Sequence, residues 1–199
     1  QDSITRLERA NARMNQLITD LLQLSRAGRM RAEIESVDVA NVVKLICENL
    51  AEQIKEKSVQ VVMHEPIPMI SADKKKIYQV FFFFLVNALK YGCVGPNPKI
   101  EVGGFEHEQE IHIYVKDNGP GIAKQYHKKL FKLFERLEND NRGTGVGLAI
   151  VSRIMQIHNG RIWLESDPES KTNPGSCFWL SFPKIYQKPT EGEDSDTGV

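Results

Sequence analysis

The chain has 199 residues, of which 41% are hydrophobic, and this suits one globular domain of ordinary size with appendages. Basic and acidic residues both number 26, so the formal net charge is zero, and a nucleic-acid-binding protein, which usually carries a basic excess, is not indicated. The sequence contains no apolar run of about 18 residues, the length needed to span a membrane, and no secretory signal stands at the start.

Three widely spaced cysteines, Cys47, Cys93 and Cys177, include no CxxC motif. An odd, sparse set of this kind predicts reduced thiols in the cytoplasm and argues against a disulfide framework or a zinc site. The absence of an initiating Met suggests a fragment of a longer protein, which could itself be soluble or attached to a membrane.

Residues 2–27 are predicted to form a long helix that pairs with another helix. A stripe with alternating spacings of three and four is formed by the apolar residues Ile4, Leu7, Met14, Ile18 and Leu21, with Asn11 filling one position. Gly28 is the expected C-cap. The helix could instead lie on its own domain, but no second stripe in the chain matches it, which favours an external partner and a homodimer.

The next part of the chain is predicted to contain two helices and three strands, one of them a short edge strand. In order, these are a strand at 34–39, a helix at about 40–57, a strand at 58–64, and a helix from 74 to Tyr91 that ends at Gly92. Asp38 and Asp73 are the expected N-caps of the two helices. The segment 66–70 reads as a short edge strand, because Pro66 and Pro68 cannot serve a central ladder.

The rest of the chain is predicted to add a hairpin, a partly helical segment, a further helix and two further strands. In order, these are strands at 99–106 and 110–117, a partly helical segment at 124–137, a helix at 148–158, and strands at 161–166 and 177–182. Residues 186–199 form an acidic tail that we expect to be disordered. Together the elements predict a two-layer α+β fold, with about three helices on one face of a mixed, mostly antiparallel sheet.

Two glycine loops are candidates for ligand binding: Asp117-Asn-Gly-Pro-Gly121 and Gly143-Thr-Gly-Val-Gly147. The second opens a helix, where backbone N–H groups can approach a phosphate and the helix dipole favours its charge. It is neither a Rossmann loop, since no strand precedes it, nor a P-loop, since the Lys-Ser/Thr ending is missing. Turns also produce such glycine patterns by chance.

Two polar residues occupy unexpected positions beside these loops. Asn87 follows four consecutive phenylalanines on an apolar helix, where it is either a satisfied core amide or an oxygen ligand. Asp117 directly follows an apolar strand, where its carboxylate could accept a hydrogen bond from a base amine. An ordinary Asx-turn is the alternative for Asp117, because Asp-Asn-Gly suits one well.

The ordered set of Asn87 on a helix, DNGPG, LFKLFERL and GTGVGLAI resembles the ATP-binding catalytic domain of sensor histidine kinases, which has the Bergerat ATPase fold. FERL, GRIWLES and GSCFWLSFPK are most similar to phytochrome-like two-component kinases. The resemblance divides the chain into a partial dimerisation and phosphotransfer hairpin at 1–30, a catalytic domain at 34–185 and the tail at 186–199.

This resemblance implies a Mg-ATP site. Asn87 matches the asparagine that binds Mg²⁺, a catalytic position, and one amide oxygen beside phosphates suits this hard cation. Asp117 matches the aspartate that hydrogen-bonds the adenine amine, and Arg136 the arginine that stabilises the transferring phosphoryl group. The other positions matched to the nucleotide site and its lid are Lys90, Tyr91, Gly119, Gly121, Phe131, Phe134, Gly143, Thr144, Gly145, Gly147 and Leu148.

The sequence departs from the family in two ways. Phe83 stands four positions before Asn87, where these kinases carry a second asparagine, so an aromatic ring replaces a polar partner on the same helix face. The phosphoacceptor His is also missing, since His64 and His107 lie at strand ends or turns and neither begins the family motif. A hairpin helix upstream of Gln1 would carry it.

Three functions remain open at this point. The first is a histidine kinase that moves the γ-phosphoryl group of ATP to a His on a missing helix and then signals to a response regulator. The second is a catalytically weak or inactive nucleotide-binding or docking module, which Phe83 supports. The third, a serine kinase or ATPase of the same superfamily, is disfavoured by the N-terminal helix.

Overall fold

The structure, a computed structural model, describes residues 32–133, 135, 145–170 and 175–185. The predicted helix at 2–27, the predicted tail at 186–199 and part of the second glycine loop lie outside the described residues. Within the described ranges, none of the helices is both long enough and apolar enough to cross a membrane.

The described chain forms seven strands and four α-helices. In order, these are β1 (Glu35–Val37), α1 (Val39–Asn49), α2 (Ala51–Glu56), β2 (Gln60–His64), β3 (Ile70–Ala72), α3 (Lys74–Asn87), β4 (Lys99–His107), β5 (Glu110–Asp117), α4 (Gly147–Ile157), β6 (Arg161–Ser166) and β7 (Ser176–Pro183). A π-helical turn, Ala88–Gly92, continues α3, and a 3₁₀ turn, Lys124–Tyr126, follows β5.

The main sheet has five strands in the order β2-β4-β5-β7-β6. Only the β2–β4 pair is parallel, and the other three pairs are antiparallel. This confirms the predicted α+β fold with a mixed, mostly antiparallel sheet. A second sheet of two strands, in which β1 pairs antiparallel with β3, was not predicted as a separate unit.

One face of the sheet packs against the helices because its strands alternate apolar and polar residues. In β5, Ile111, Ile113 and Val115 are buried, whereas His112 and Tyr114 lie on the opposite face. The helical layer contributes large, fully buried side chains to the same core, among them Phe81, Phe84, Ile150 and Ile154. Burying each such side chain stabilises the fold by about 1.5–3 kcal/mol.

Both predicted N-caps are confirmed. The side chain of Asp38 accepts a hydrogen bond from the backbone N–H of Asn41 at 3.0 Å. Asp73 Oδ1 accepts from the N–H groups of Lys75 and Lys76 at 3.0 and 3.2 Å. These bonds satisfy donors that the first helical turn leaves without partners, and so they fix where α1 and α3 begin.

Four predicted elements differ from the structure by more than a residue or two at an end. The helix at 40–57 is divided at Leu50, and the short α2 that follows buries none of its residues, so packing does not hold it in line with α1. The edge strand is not 66–70 but β3, which starts only after both prolines have passed. The long helix stops being α-helical at Asn87. Within 124–137, the described residues form only a short 3₁₀ turn followed by turns.

The end of α3 widens by one residue per turn. The N–H of Cys93 donates to the carbonyl oxygen of Ala88 at 2.8 Å, an i to i+5 bond typical of a π-helix. Such bulges occur frequently at functional sites. This turn carries Lys90, which is exposed, and Tyr91, which is half-buried, directly after Asn87.

Candidate functional site

Asp117 is the last residue of β5 and is almost completely buried, at 7% exposure. Its Oδ1 accepts hydrogen bonds from the backbone N–H of Gly119 at 2.9 Å and of Ser176 at 3.3 Å. Burial raises the pKa of Asp117 above its usual value, although these two bonds and the charge of Lys116 counteract that rise. The carboxyl group is therefore an oriented acceptor in a partly dry environment.

Glycines from three segments surround Asp117. A Cβ added to Gly92 would stand 2.4 Å from Asp117 Cγ, and one added to Gly175 would stand 1.9 Å from the Asp117 carbonyl oxygen. A Cβ on Gly119 would stand 2.4 Å from the carbonyl oxygen of Gly92. Real Cβ atoms essentially never approach other atoms this closely. The end of α3, the first glycine loop and the start of β7 can therefore meet at this carboxyl group only because they lack side chains there.

The second glycine loop leads directly into α4. Gly145 has φ of +74°, a conformation that favours glycine, and α4 begins two residues later at Gly147. The N-cap position is Val146, which offers no side-chain acceptor, and no side-chain cap bond is present there. Val146 therefore leaves the first N–H groups of α4 without a cap from the N-cap side chain, which suits an anion-binding helix terminus.

Asn87 lies between the two glycine loops on the last turns of α3. Four residues before it, Phe83 contacts Gly147, where an added Cβ would stand 3.1 Å from the Phe83 ring. Five residues after it, Gly92 contacts Asp117 and Gly119. Because a helix rises about 1.5 Å per residue, the half-buried Asn87 side chain is within several ångströms of both contacts along the helix.

The structure thus places the predicted site residues on three segments that contact one another through Gly92 and Phe83. These residues are Asn87, Lys90 and Tyr91 at the end of α3 and just after it, Asp117, Gly119 and Gly121 at the end of β5 and in the loop after it, and Gly145, Gly147 and Leu148 around the start of α4. Gly121 has φ of +75° and packs against Pro168, which follows β6. Phe131 is partly buried against the core. Phe134, Arg136, Gly143 and Thr144 lie outside the described residues, so their predicted roles stay predictions.

Sequence reasoning missed four residues of this site: Gly92, Ser166, Gly175 and Ser176. Gly92 is predicted only as a helix end, and Gly175, between the last two predicted strands, has no predicted role. Both contact Asp117, and Gly175 has φ of +110°. An NPG sequence immediately before a strand was the available signal, but its partner lies about 60 residues away in the chain, where local patterns do not reach.

An acceptor carboxyl at one side and helix N-terminal N–H groups at the other suit a particular ligand chemistry. The carboxyl oxygen can accept from an amine on a ring, and the α4 terminus can hold phosphate oxygens. The half-buried amide of Asn87 lies between them and offers a neutral oxygen of the kind that Mg²⁺ accepts. The geometry is consistent with a nucleotide.

Comparison with known proteins agrees with this geometry. Residues 72–185 match the sequence family described as histidine kinase-, DNA gyrase B-, and HSP90-like ATPase. The chain is 33% identical over 177 residues to the methanogenesis regulatory histidine kinase FilI of Methanothrix harundinacea, an alignment that covers 89% of this chain and 20% of FilI. It is 34% identical over 172 residues to the phytochrome-like protein Cph1 of Synechocystis, covering 85% of this chain and 22% of Cph1.

The chain therefore spans about a fifth of the length of these two relatives. Among solved structures, full-length ShkA in complex with AMPPNP superposes with a TM-score of 0.72 over 94% of this chain and 39% of ShkA. Sequence identity in that pair is 23%, so this likeness concerns the fold.

Proposed function

The chain belongs to the family of histidine kinase-, DNA gyrase B- and HSP90-like ATPases and is a histidine kinase ATPase domain, and from this premise we propose that it binds Mg-ATP and transfers the γ-phosphoryl group to a His. That His lies on a helix outside this chain, in the same parent protein. The buried Asp117, fixed by two backbone N–H groups and enclosed by three glycines, is the observation that carries the proposal.

In this proposal Asp117 recognises the adenine base. Oδ1 is engaged by Gly119 and Ser176, and Oδ2 accepts the hydrogen bond from the exocyclic amine. A buried, charged acceptor makes a stronger hydrogen bond than an exposed one, because water does not compete for it. The close approach of Gly92, Gly119 and Gly175 holds three chain segments tightly together around Asp117.

The phosphates would lie at the second glycine loop. Gly145, Gly147 and Leu148 place backbone N–H groups at the start of α4, and Gly143 and Thr144 complete the loop in the sequence. Lys90 and Tyr91, on the π-helical turn, would contact the same ligand, and Phe134 and Arg136 would belong to the lid over it. Arg136 would stabilise negative charge on the transferring group.

Asn87 is the residue that would hold Mg²⁺. Within the described ranges, no cluster of three or more His, Cys, Asp or Glu residues is arranged to hold a metal ion. An ion beside Asn87 would thus take most of its ligands from phosphate and water, which is the usual preference of Mg²⁺. It would neutralise phosphate charge, while the chain itself supplies the position of the nucleotide.

The partners follow from the same proposal. The parent protein would present its phosphoacceptor hairpin to this domain, dimerise through residues 2–27, and pass the phosphoryl group to a response regulator. The three cysteines are unpaired in the structure, which supports a reducing, cytoplasmic setting for the domain.

A binding titration of Asp117→Asn tests the proposal. Asparagine can still accept from Gly119 and Ser176, but it then turns its NH₂ group towards the amine of the base, so donor faces donor. We expect ATP affinity to fall about ten- to hundredfold, corresponding to about 1–3 kcal/mol for a disrupted buried hydrogen bond. Transfer to a supplied hairpin should fall in parallel at subsaturating ATP.

Asp167→Asn is the matched control. Asp167 follows β6 as Asp117 ends β5, and its side chain likewise accepts from an N–H two residues later, that of Glu169 at 3.0 Å, but it is exposed. This variant should bind ATP with the same affinity as the unmutated chain. Equal ATP affinity for the parent and Asp117→Asn would refute the adenine assignment.

A further inference from the structure

The hydroxyl of Ser166, at the end of β6, connects two loops that contact Asp117. Its Oγ accepts from the backbone N–H of Ile122 at 2.8 Å and donates to the carbonyl oxygen of Gly175 at 2.6 Å. It also lies 3.2 Å from Ser176 Oγ. A serine hydroxyl has one proton and two acceptor positions, so it can make all three bonds at once if Ser176 donates.

Each loop reaches Asp117 through its own backbone donor. The first glycine loop donates from Gly119 to Asp117 Oδ1, and Ile122 directly follows that loop. The start of β7 donates from Ser176 to the same oxygen, while Gly175 packs against the backbone of Asp117. Ser166 therefore joins the two segments whose N–H groups orient the carboxyl group.

The anchored end of the loop has a second restraint. The carbonyl oxygen of Ile122 lies 2.8 Å from His127 Nε2, which donates to it. The N–H of Ile122 is held by Ser166 and its carbonyl by His127, so both sides of this residue are fixed. Gly121, with φ of +75°, packs against the backbone of Pro168. The hydroxyl of Ser166 is thus a polar link between this loop and β7, in addition to Asp117 itself.

We propose that Ser166 is a positioning residue for base selection: its hydroxyl holds the first glycine loop against the start of β7 and so fixes the direction in which Asp117 faces the base. This inference rests on the proposed function. A carboxylate favours adenine, which presents an amine, over guanine, which presents a carbonyl oxygen at the corresponding position. That preference depends on the orientation of the carboxyl group, because a hydrogen bond weakens steeply as its donor–hydrogen–acceptor angle departs from a straight line.

Loss of the hydroxyl should therefore lower the ratio of ATP affinity to GTP affinity while the protein stays folded. For Ser166→Ala we expect ATP affinity to fall about tenfold and GTP affinity to change less than about threefold, the scale of one impaired buried hydrogen bond. Ser166→Thr keeps the hydroxyl and should restore most of the preference for ATP. A role confined to packing or stability would lower both affinities together.

The matched control is Ser181→Ala, which removes a hydroxyl from a fully buried serine of β7. Ser181 pairs with His112 and Arg161, several residues along the strand from Ser176 and Asp117. Ser181→Ala, like Ser166→Ala, removes one hydroxyl from the main sheet, but it should keep the ratio of ATP to GTP affinity of the unmutated chain.

The experiment is equilibrium dialysis of the full chain with labelled ATP and, separately, labelled GTP in the presence of Mg²⁺, with thermal melts of every variant. The proposal is supported if the ratio of ATP affinity to GTP affinity is lower in Ser166→Ala, is restored in Ser166→Thr and is unchanged in Ser181→Ala. An unchanged ratio in Ser166→Ala, or an equal fall of both affinities, overturns the role of Ser166 and leaves the proposed function intact. A parent chain that binds neither nucleotide overturns the proposed function and this inference with it.

Discussion

The ring of Phe83, on α3, lies against the backbone of Gly147, the first residue of α4. A Cβ added to Gly147 would stand 3.1 Å from Phe83 Cδ1 and 3.3 Å from Cε1, closer than nearly all real Cβ contacts. The helix that carries Asn87 and the loop proposed to hold phosphate therefore touch through an aromatic side chain. Any residue at position 83 faces the start of α4.

The first prediction concerns Gly175→Ala. The native residue has φ of +110°, and its new Cβ would stand 1.9 Å from the Asp117 carbonyl oxygen, so the backbone must move. We expect the free energy of unfolding to fall by more than about 1 kcal/mol, the usual cost of an incompatible backbone conformation. Nucleotide binding should weaken as well, because Ser176 donates to Asp117 from the next residue.

Gly95→Ala is the control for that change, since a Cβ there has no atom within 4 Å and φ is not positive. Urea denaturation should show the control close to the parent and Gly175→Ala clearly below it. If the two variants unfold at the same urea concentration, the tight contact at Asp117 is not present in solution.

The second prediction is a pH dependence that arises from His158. This residue is fully buried at the end of α4, where its Nδ1–H donates to the Ile154 carbonyl oxygen at 2.7 Å and its Nε2 accepts from the Asp73 N–H at 3.0 Å. Both bonds together require the neutral ring. Burial lowers the pKa of His158, although the Ile154 bond and the charge of Asp73 act in the opposite direction.

The sign follows from this lowered pKa. The unfolded chain binds a proton on His158 near pH 6.5, whereas the folded chain does so only at lower pH, so stability falls as pH decreases below about 6.5. The slope from this one group reaches at most about 1.4 kcal/mol per pH unit. His158→Gln cannot titrate, and its stability should be lower than the parent's near pH 8 but should fall less towards about pH 5.5.

Urea unfolding of both proteins at several pH values isolates this contribution, because other titrating groups cancel when the two curves are subtracted. The difference between the parent and His158→Gln should shrink on acidification. A difference that is constant from about pH 8 to 5.5 would mean that His158 keeps the same protonation in the folded and unfolded chain.

How far the sequence predicts this molecule depends on the distance over which each signal acts. The strict alternation in β5 and the acidic caps Asp38 and Asp73 are local signals, and the structure confirms them. The pairing of β1 with β3 is not local: each strand has three residues, too few for a clear period, and more than 30 residues separate them. The break at Leu50 is likewise not visible in the local sequence. It reflects tertiary packing, because none of the residues of α2 is buried against the core.

The site shows the same division. Asp117 was identifiable because it ends an apolar strand and precedes two glycines. The roles of Gly92 and Gly175 could not be predicted. A side chain at either position would collide with Asp117, which lies 25 and 58 positions away from them in the sequence. Ser166 makes bonds to partners 44 and 9 positions away, and no pattern along β6 distinguishes it from an ordinary strand-end serine.

The third prediction is that residues 2–27 mediate self-association, as their apolar stripe indicates. An exposed apolar seam is unfavourable by about 25 cal/mol per Å², which favours pairing of two chains. Sedimentation should give a larger species for the full chain than for a chain that starts at Ala32, which keeps Glu33 and its bond to Asp73. Ile18→Glu, on the stripe, should weaken association more than Thr19→Glu, beside it. Monomers throughout would exclude this role for the segment.

The last prediction concerns Phe83→Asn. Phosphoryl transfer depends on positioning and on stabilisation of charge, and a polar side chain at this position would face both the start of α4 and the turn that carries Asn87. We expect the rate of transfer to a supplied hairpin at saturating ATP to rise, while ATP affinity changes less than the rate. The ring also packs against the core, so the variant should lose stability, by less than the roughly 3–5 kcal/mol typical of a fully buried Phe truncation.

Phe82→Asn separates the two effects, because it makes the same change one residue earlier. Phe82 is also partly buried, but its ring stacks on Tyr78 at a centroid distance of 6.1 Å, and Tyr78 in turn accepts a hydrogen bond from Asn49 at the end of α1. Phe82 lies about 100° around the helix from Phe83, so Phe82→Asn should lose comparable stability without a gain in the rate of phosphoryl transfer. Transfer assays and melts of both variants therefore decide the matter: a folded, ATP-binding Phe83→Asn that transfers no faster than the parent would make Phe83 a packing residue alone.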